Sequence, residues 1–326
     1  MDVFLAYLAK PKYGGWPTYT AHLLRGIRDG GHNAHIIKAG NTTERKTRPF
    51  GRKLRYQNVA RDDMISLARS SNVLITAVDK HHHDLALDLL AAGAPIVIHD
   101  PTEMKEPLRG ALGESNIIVI RESMLKYLPH ATYIPHPYSR RQVPQCSVKR
   151  KAASISRIDF DKHTELIVAA NSSLEEPIDI YGAINRLYAK FKLEEINPQW
   201  AENYKGQFSA DDLWASVRIA AGYERVVDMS VIKGDGGGSQ YTFLEAANAG
   251  ASLILHRDWH PAGILSDYAT VVSDVDELQE TVSGPVKGST SAAEAFLAEH
   301  DARFIGDRTV LAMNHSGTGV DGNRLR

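Results

Sequence analysis

The chain has 326 residues, room for two domains of roughly 150 residues each. Its 43% hydrophobic and 24% charged residues are those of a water-soluble globular protein, and a single cysteine, Cys146, excludes both an intrachain disulfide and a cysteine-based zinc site. No apolar run approaches the roughly 20 residues that span a bilayer, and the opening MDVFLAYLAK lacks the basic start and cleavage site of a secretory leader, so a cytoplasmic location is expected.

The net charge of −1 conceals two halves of opposite sign. Residues 1–150 carry 22 Lys and Arg against 13 Asp and Glu, while the remainder carries 16 against 26. A basic half in a near-neutral chain points to a polyanionic partner.

In chain order, DVFLAYL (2–8) predicts a strand, and TYTAHLLRGIRDG (18–30) a helix entered through Pro17 and closed by Gly30 and Gly31. Between them, KYGGWPTYT sets Gly14 and Gly15 ahead of a helix N-terminus, whose N–H groups and dipole suit an anion. It is neither a Walker loop nor GxGxxG, so a plain β–α turn is an equal reading. NAHIIKA (33–39) is the next strand. ERKTRPFGRKLRYQNVAR (44–61) reads as a basic loop, and Arg48, Arg52, Lys53 and Arg55 are candidate contacts to nucleic-acid phosphates.

A helix at 62–71, a strand at 72–78, a helix at DLALDLLAAG and a strand at 95–99 continue the alternation. APIVIHDPTE ends a buried strand on His99 and Asp100. Ligands of open α/β sheets collect beyond the carboxyl ends of the strands. The pair is therefore a candidate acid–base pair, with a polar loop exit as the bland alternative. The adjacent His81, His82 and His83 point in different directions and read as a loop, not a metal site. NIIVI, ESMLKYL and TYIPHP complete a first domain of residues 1–138. The polar stretch 139–151, where Arg140 and Arg141 add candidate phosphate contacts, reads as a linker.

The alternation restarts with AASIS (152–156), KHTELIVAAN, PIDIY, RVVDMS, YTFLEAANAG, ASLILH and TVVSD. This predicts a second domain over 152–315, its last helix able to return to the first domain, before a polar tail at 316–326. SRIDFDKH places Arg157 and Lys162 at a strand–helix junction, where two cations can converge on a diphosphate. In KGDGGGSQYTFLEAANAG, residues Gly236, Gly237, Gly238, Ser239, Gln240, Tyr241 and Thr242 lead into a helix as a second anion cradle. Glu245 then falls where its carboxylate can accept hydrogen bonds from vicinal ribose hydroxyls.

GGWPTYTAHLLRGIRDGGH, SRIDFDKHTELIVAA and YTFLEAANAG together resemble the three signature regions of retaining GT-B glycosyltransferases. The resemblance implies an α/β chain of two Rossmann-like doubly wound domains facing across a cleft, with the acceptor on the first and a nucleotide sugar on the second. One departure stands out: where many such enzymes carry a glutamate eight residues before the position of Glu245, this chain has Gly237. Within the class the chain is similar to the phage DNA α-glucosyltransferases. The shared features are the His-Asp pair after an apolar run, the R-x4-K junction and the T-x-L-E-x4-G helix start.

That likeness implies transfer of glucose from UDP-glucose to 5-hydroxymethylcytosine in double-stranded DNA, with retention and no obligatory metal. The base would be flipped out of the duplex. Arg157, Lys162 and the 236–242 loop would hold the diphosphate, Glu245 the ribose, and Gln207 and Phe208 the base. His99 and Asp100 would lie on the acceptor side. Two alternatives stand beside it. A glycan or lipid acceptor would bring the basic face to an anionic membrane, but the sequence shows no basic amphipathic helix with exposed aromatics. A nucleic-acid-binding protein on a decayed scaffold would have no use for Arg157, Lys162 and Glu245 together.

Overall fold

The computed structural model describes residues 1–10, 15–70, 72–113, 115–144, 146–209, 211–231, 238–286 and 289–314. The expectations placed on Gly14, Gly236 and Gly237 lie outside the described residues. The chain forms two compact units, Met1–Ser139 together with the residues from His300 onward, and Arg140–Glu299. The division falls at the start of the stretch expected to be a linker. Arg140 and Arg141 already belong to the second unit, and a strand begins at Arg150.

The first unit holds eight strands: β1 (Asp2–Leu8), β2 (Asn33–Gly40), β3 (Thr47–Gly51), β4 (Leu54–Ala60), β5 (Asn72–Val78), β6 (Ile96–Ile98), β7 (Ile117–Val119) and β8 (Thr132–Tyr133). Their order is β3-β4-β2-β1-β5-β6-β7-β8, parallel except for the β3–β4 hairpin at one edge. Interior runs such as Ile96-Val97-Ile98 and Ile117-Ile118-Val119 are buried throughout, because helices cover both faces of a parallel sheet. The chain moves outward from β1 through β2, then returns to β1's other side with β5. The carboxyl ends of β1 and β5 are thus the topological switch point, where ligands of such sheets bind.

The hairpin was read from sequence as a loop, and the structure corrects this. Its two turn residues, Arg52 and Lys53, both have positive φ, 55° and 59°, as a tight two-residue hairpin requires. Phe50 anchors it, packing edge-on against Tyr7 of β1 with ring centroids 5.0 Å apart. The helix Ala302–Asn314 closes the unit against the helix Gly15–Asp29. Gly26 and Gly306 permit that approach: a Cβ on Gly26 would lie 1.8 Å from the carbonyl oxygen of Ala302.

The second unit is a six-stranded parallel sheet of β9 (Arg150–Ile155), β10 (Asp179–Tyr181), β11 (Tyr204–Gly206), β12 (Tyr223–Asp228), β13 (Ser252–His256) and β14 (Ala269–Val272). Its order, β11-β10-β9-β12-β13-β14, puts the switch point between β9 and β12. Ile167, Val168, Ile180, Tyr188, Val227, Ile254 and Leu278 are among its buried core residues. The charge asymmetry survives the shifted boundary. The first unit's sequence holds 22 basic and 16 acidic residues, the second's 16 and 23.

Candidate functional site

In the first unit the site grows from an irregularity in β5. Strand β1 pairs Ala6 with Ile75 and Tyr7 with Ala77, so Thr76 has no counterpart on β1. Such a bulge takes a carbonyl off the regular ladder. His99, just past β6, uses it: its Nε2 lies 2.9 Å from the carbonyl oxygen of Thr76. Since a carbonyl only accepts, Nε2 carries the proton and a neutral His99 has Nδ1 as its acceptor. Burial lowers the His99 pKa to about 4, so the ring is neutral at physiological pH. Tyr19 packs edge-on against it at 4.8 Å and Trp16 lies at 6.4 Å, both from the helix Gly15–Asp29.

Asp100 faces a different task from the one its neighbour suggests. Its Oδ1 accepts from the Thr102 N–H at 2.7 Å and from the Thr102 hydroxyl, capping the short turn Pro101–Glu103. Both of these bonds fall on the same carboxylate oxygen.

A third acidic residue was missed by the sequence reading. Glu103 accepts from the Trp16 indole N–H through Oε1 at 2.6 Å and from the His99 main-chain N–H through Oε2 at 2.9 Å. Burial, reinforced by the Asp100 charge, pushes its pKa up to about 8, against the opposing pull of its two N–H donors and of Arg121. Arg121, just past β7, is half-buried, and desolvation of its guanidinium lowers its pKa to about 10. In HDPTE, Glu103 looks like an ordinary loop glutamate. Only the fold brings it under Trp16.

In the second unit, Lys162 spans the switch point. From the loop after β9, its Nζ reaches the hydroxyl of Ser230 at 2.7 Å and the Gln240 side-chain oxygen at 2.9 Å. Buried Asp228, at the end of β12, lies 3.9 Å away. Gln240 precedes the helix Tyr241–Asn248, but its side chain serves Lys162 and does not cap the helix. The cation and that helix N-terminus are thus joined directly. Arg157 is half exposed and braced by Asp159 at 3.1 Å and Asp161 at 3.0 Å.

Ser239 is buried, and the Gly238 carbonyl accepts from the Trp259 indole at 2.9 Å, which fixes the approach to the helix. Tyr241, Thr242 and the half-buried Glu245 lie on the helix itself. Gln207 and Phe208 follow β11, the former exposed and the latter half-buried. Gly15 opens the helix of the first unit, where an added Cβ would meet nothing within 4 Å.

The residues expected to meet nucleic-acid phosphates lie in different surroundings, and Arg52 is withdrawn from the surface. Arg52 is buried, with its guanidinium 3.0 Å from the Thr18 hydroxyl, because the tight turn folds it back onto the unit. Arg48 is paired with Glu44, and Arg55 is hydrogen-bonded to Thr47. Lys53 is exposed at the hairpin tip, and Arg45 and Lys46 are exposed at the hairpin's opposite, open end. Arg140 pairs with Glu294 at 2.5 Å, and the Arg141 guanidinium lies 4.8 Å from the Trp214 ring centre, both on the acidic unit.

A second correction concerns the missing amphipathic segment. Helical residues 186–196 expose Leu187 and Phe191 beside Arg186, Lys190 and Lys192, followed by Glu194 and Glu195. Among the described residues, no three His, Cys, Asp or Glu side chains form a metal-holding group. No helix among them is long and apolar enough to cross a membrane. His82 is bound to Asp79 at 2.7 Å.

No protein-family model matches the sequence, and no curated protein matches it at sequence level. Solved structures do match by shape. An α-glucosyltransferase in complex with UDP and a 13-mer DNA containing an HMU base aligns over 96% of this chain and 99% of its own, at 11% identity and a TM-score of 0.66. Anabaena Alr3699/HepE, in complex with UDP and glucose, aligns over 97% and 99%, at 12% identity and 0.66. The lipopolysaccharide outer core galactosyltransferase WaaB aligns over 97% and 99%, at 14% identity and 0.64. The chain has the GT-B fold, two parallel-sheet α/β units built like those of these glycosyltransferases.

Proposed function

We propose that the protein is a glycosyltransferase taking its sugar from a nucleoside diphosphate sugar, UDP-glucose in the specific reading. The observation that carries this is Lys162, which joins the switch point of the second sheet to the N-terminus of the helix Tyr241–Asn248. A cation set at a helix N-terminus can neutralise a leaving diphosphate without a metal. Arg157 adds a second positive charge, Glu245 takes the ribose, and Gln207 with Phe208 flanks the base. The 238–242 approach supplies N–H groups and hydroxyls. In the first unit, His99 Nδ1 accepts a hydrogen bond from a sugar or acceptor hydroxyl, while the Asp100 carboxylate takes the acceptor proton.

For the acceptor, we propose a hydroxymethylated base in double-stranded DNA. The positive first unit and the exposed cations Arg45, Lys46 and Lys53 along its edge hairpin support this, as does the likeness to a glucosyltransferase crystallised with DNA. A glycan or lipid acceptor is the second reading, favoured by the exposed Leu187 and Phe191 among cations. The deciding experiment incubates the enzyme with UDP-glucose and hydroxymethylated duplex, unmodified duplex or a lipid-linked glycan, followed by mass spectrometry. Base-linked hexose on the modified duplex alone supports DNA; hexose on the glycan alone supports the second reading. Hexose on none of them, with UDP not bound, overturns the transferase reading.

A further inference from the structure

The geometry around Glu103 ties together two segments far apart in sequence. One carboxyl oxygen receives the indole N–H of Trp16, the second residue of the helix Gly15–Asp29, and the other receives the main-chain N–H of His99. His99 is also fixed from its far side by Thr76 and faced by Tyr19. The carboxyl therefore closes a ring of contacts around the imidazole. We propose that Glu103 is a positioning residue, a clamp that holds Trp16 and the His99 main chain in register so that the imidazole is presented in one orientation during sugar transfer. The catalytic part of this inference rests on the transferase reading above; the clamp itself does not.

Among the described residues, the charged and titratable neighbours of Glu103 are Asp100 and His99 on its own loop and Arg121 after β7. Ionisation above about pH 8 places a second negative charge beside Asp100, countered by Arg121 and the two N–H donors. Glutamine has nearly the same volume but offers only one acceptor oxygen, so its amide N–H groups face one of the two donors. Glu103→Gln therefore breaks the clamp while leaving the packing.

Two measurements test this. In the first, tryptophan is labelled with nitrogen-15, which gives indole signals from only Trp16, Trp200, Trp214 and Trp259. Trp16→Phe identifies the relevant signal, which should shift with a midpoint near pH 8 in the wild type and stop titrating in Glu103→Gln. In the second, kcat and KM are compared at pH 7. Glu103→Gln and Trp16→Phe should each lower kcat by about 10-fold to 100-fold. UDP affinity should be unchanged, and the double variant should lose no more than either alone.

A Trp16 indole signal at the same position in the wild type and in Glu103→Gln overturns the clamp, as does a wild-type kcat in both variants. If Glu103→Gln fails to fold, Trp16→Phe carries the kinetic comparison alone. If the wild-type protein transfers no sugar, the transferase reading and the kinetic part of the inference both fall, and the comparison of the Trp16 indole signal between the wild type and Glu103→Gln decides whether the clamp exists.

Discussion

His99 donates from Nε2 to the carbonyl of Thr76 at 2.9 Å, and Thr76 is a residue of β5 that the pairing with β1 passes over. A strand irregularity thus sets the tautomer of an imidazole in the neighbouring loop. The bond leaves Nδ1 as the acceptor of a neutral ring.

Donor binding should depend on the second unit alone. Lys162→Met should weaken UDP binding by on the order of 1.5–3 kcal/mol, the worth of a hydrogen bond to a charged group. Arg157→Ala and Glu245→Ala should each weaken it with little change in stability, since Arg157 is half exposed and its pairs with Asp159 and Asp161 contribute little to folding. Calorimetric titration giving wild-type UDP affinity for all three would refute the donor assignment.

Lys53→Gly offers two readings from one substitution. At φ 59° a glycine avoids the left-handed penalty, so the thermal midpoint should rise, with a gain of about 1 kcal/mol. If Lys53 also meets a phosphate, the log–log salt slope for duplex binding should flatten by about 0.9. An unchanged slope would remove Lys53 from any nucleic-acid surface. Arg52 belongs to the folded core of the unit and is unsuited to this test.

Stability of the first unit should peak near the ordinary imidazole pKa. Burial lowers His22 to about 3, His99 and His300 to about 4, and His136 well below its usual range. These rings protonate first in the unfolded chain, so their stabilisation is complete above the ordinary imidazole value of 6.5 and is lost as pH falls toward 4. Each costs about 1.4 kcal/mol per pH unit within its window. Glu103 acts oppositely. Raised from 4.5 to about 8, it is ionised first in the unfolded chain, and stability declines as pH rises between those values. Denaturant midpoints should fall steeply from pH 6.5 to 5 and gently from 6.5 to 8, and Glu103→Gln should abolish the alkaline decline and steepen the acid one, where Glu103 opposes the imidazoles. A flat profile below pH 6.5 would contradict burial of the imidazoles.

Gly26→Ala should destabilise the first unit by about 1–3 kcal/mol through overpacking, because its Cβ would strike the Ala302 carbonyl at 1.8 Å. Calorimetry should show the loss in the first unit's transition. An unaltered melting profile would mean that the helix Ala302–Asn314 does not seat on Gly26.

The sequence by itself determined the repeated strand–helix alternation, the burial of its β-branched runs and the junctions that carry Arg157, Lys162, Gln240 and His99. These are local signals, since hydrophobic period and a glycine or a cation beside a helix start are written in neighbouring residues. Tertiary structure decided everything that depends on distant partners. It turned a basic loop into an edge hairpin, because Phe50 found Tyr7 across the sheet, and it folded Arg52 inward onto Thr18. It moved Arg140 and Arg141 to the acidic unit through Glu294 and Trp214. It also brought Glu103 against Trp16, 87 positions earlier in the chain. A carboxyl's protonation and a cation's availability depend on desolvation and on charges supplied by other elements, and no local pattern encodes them.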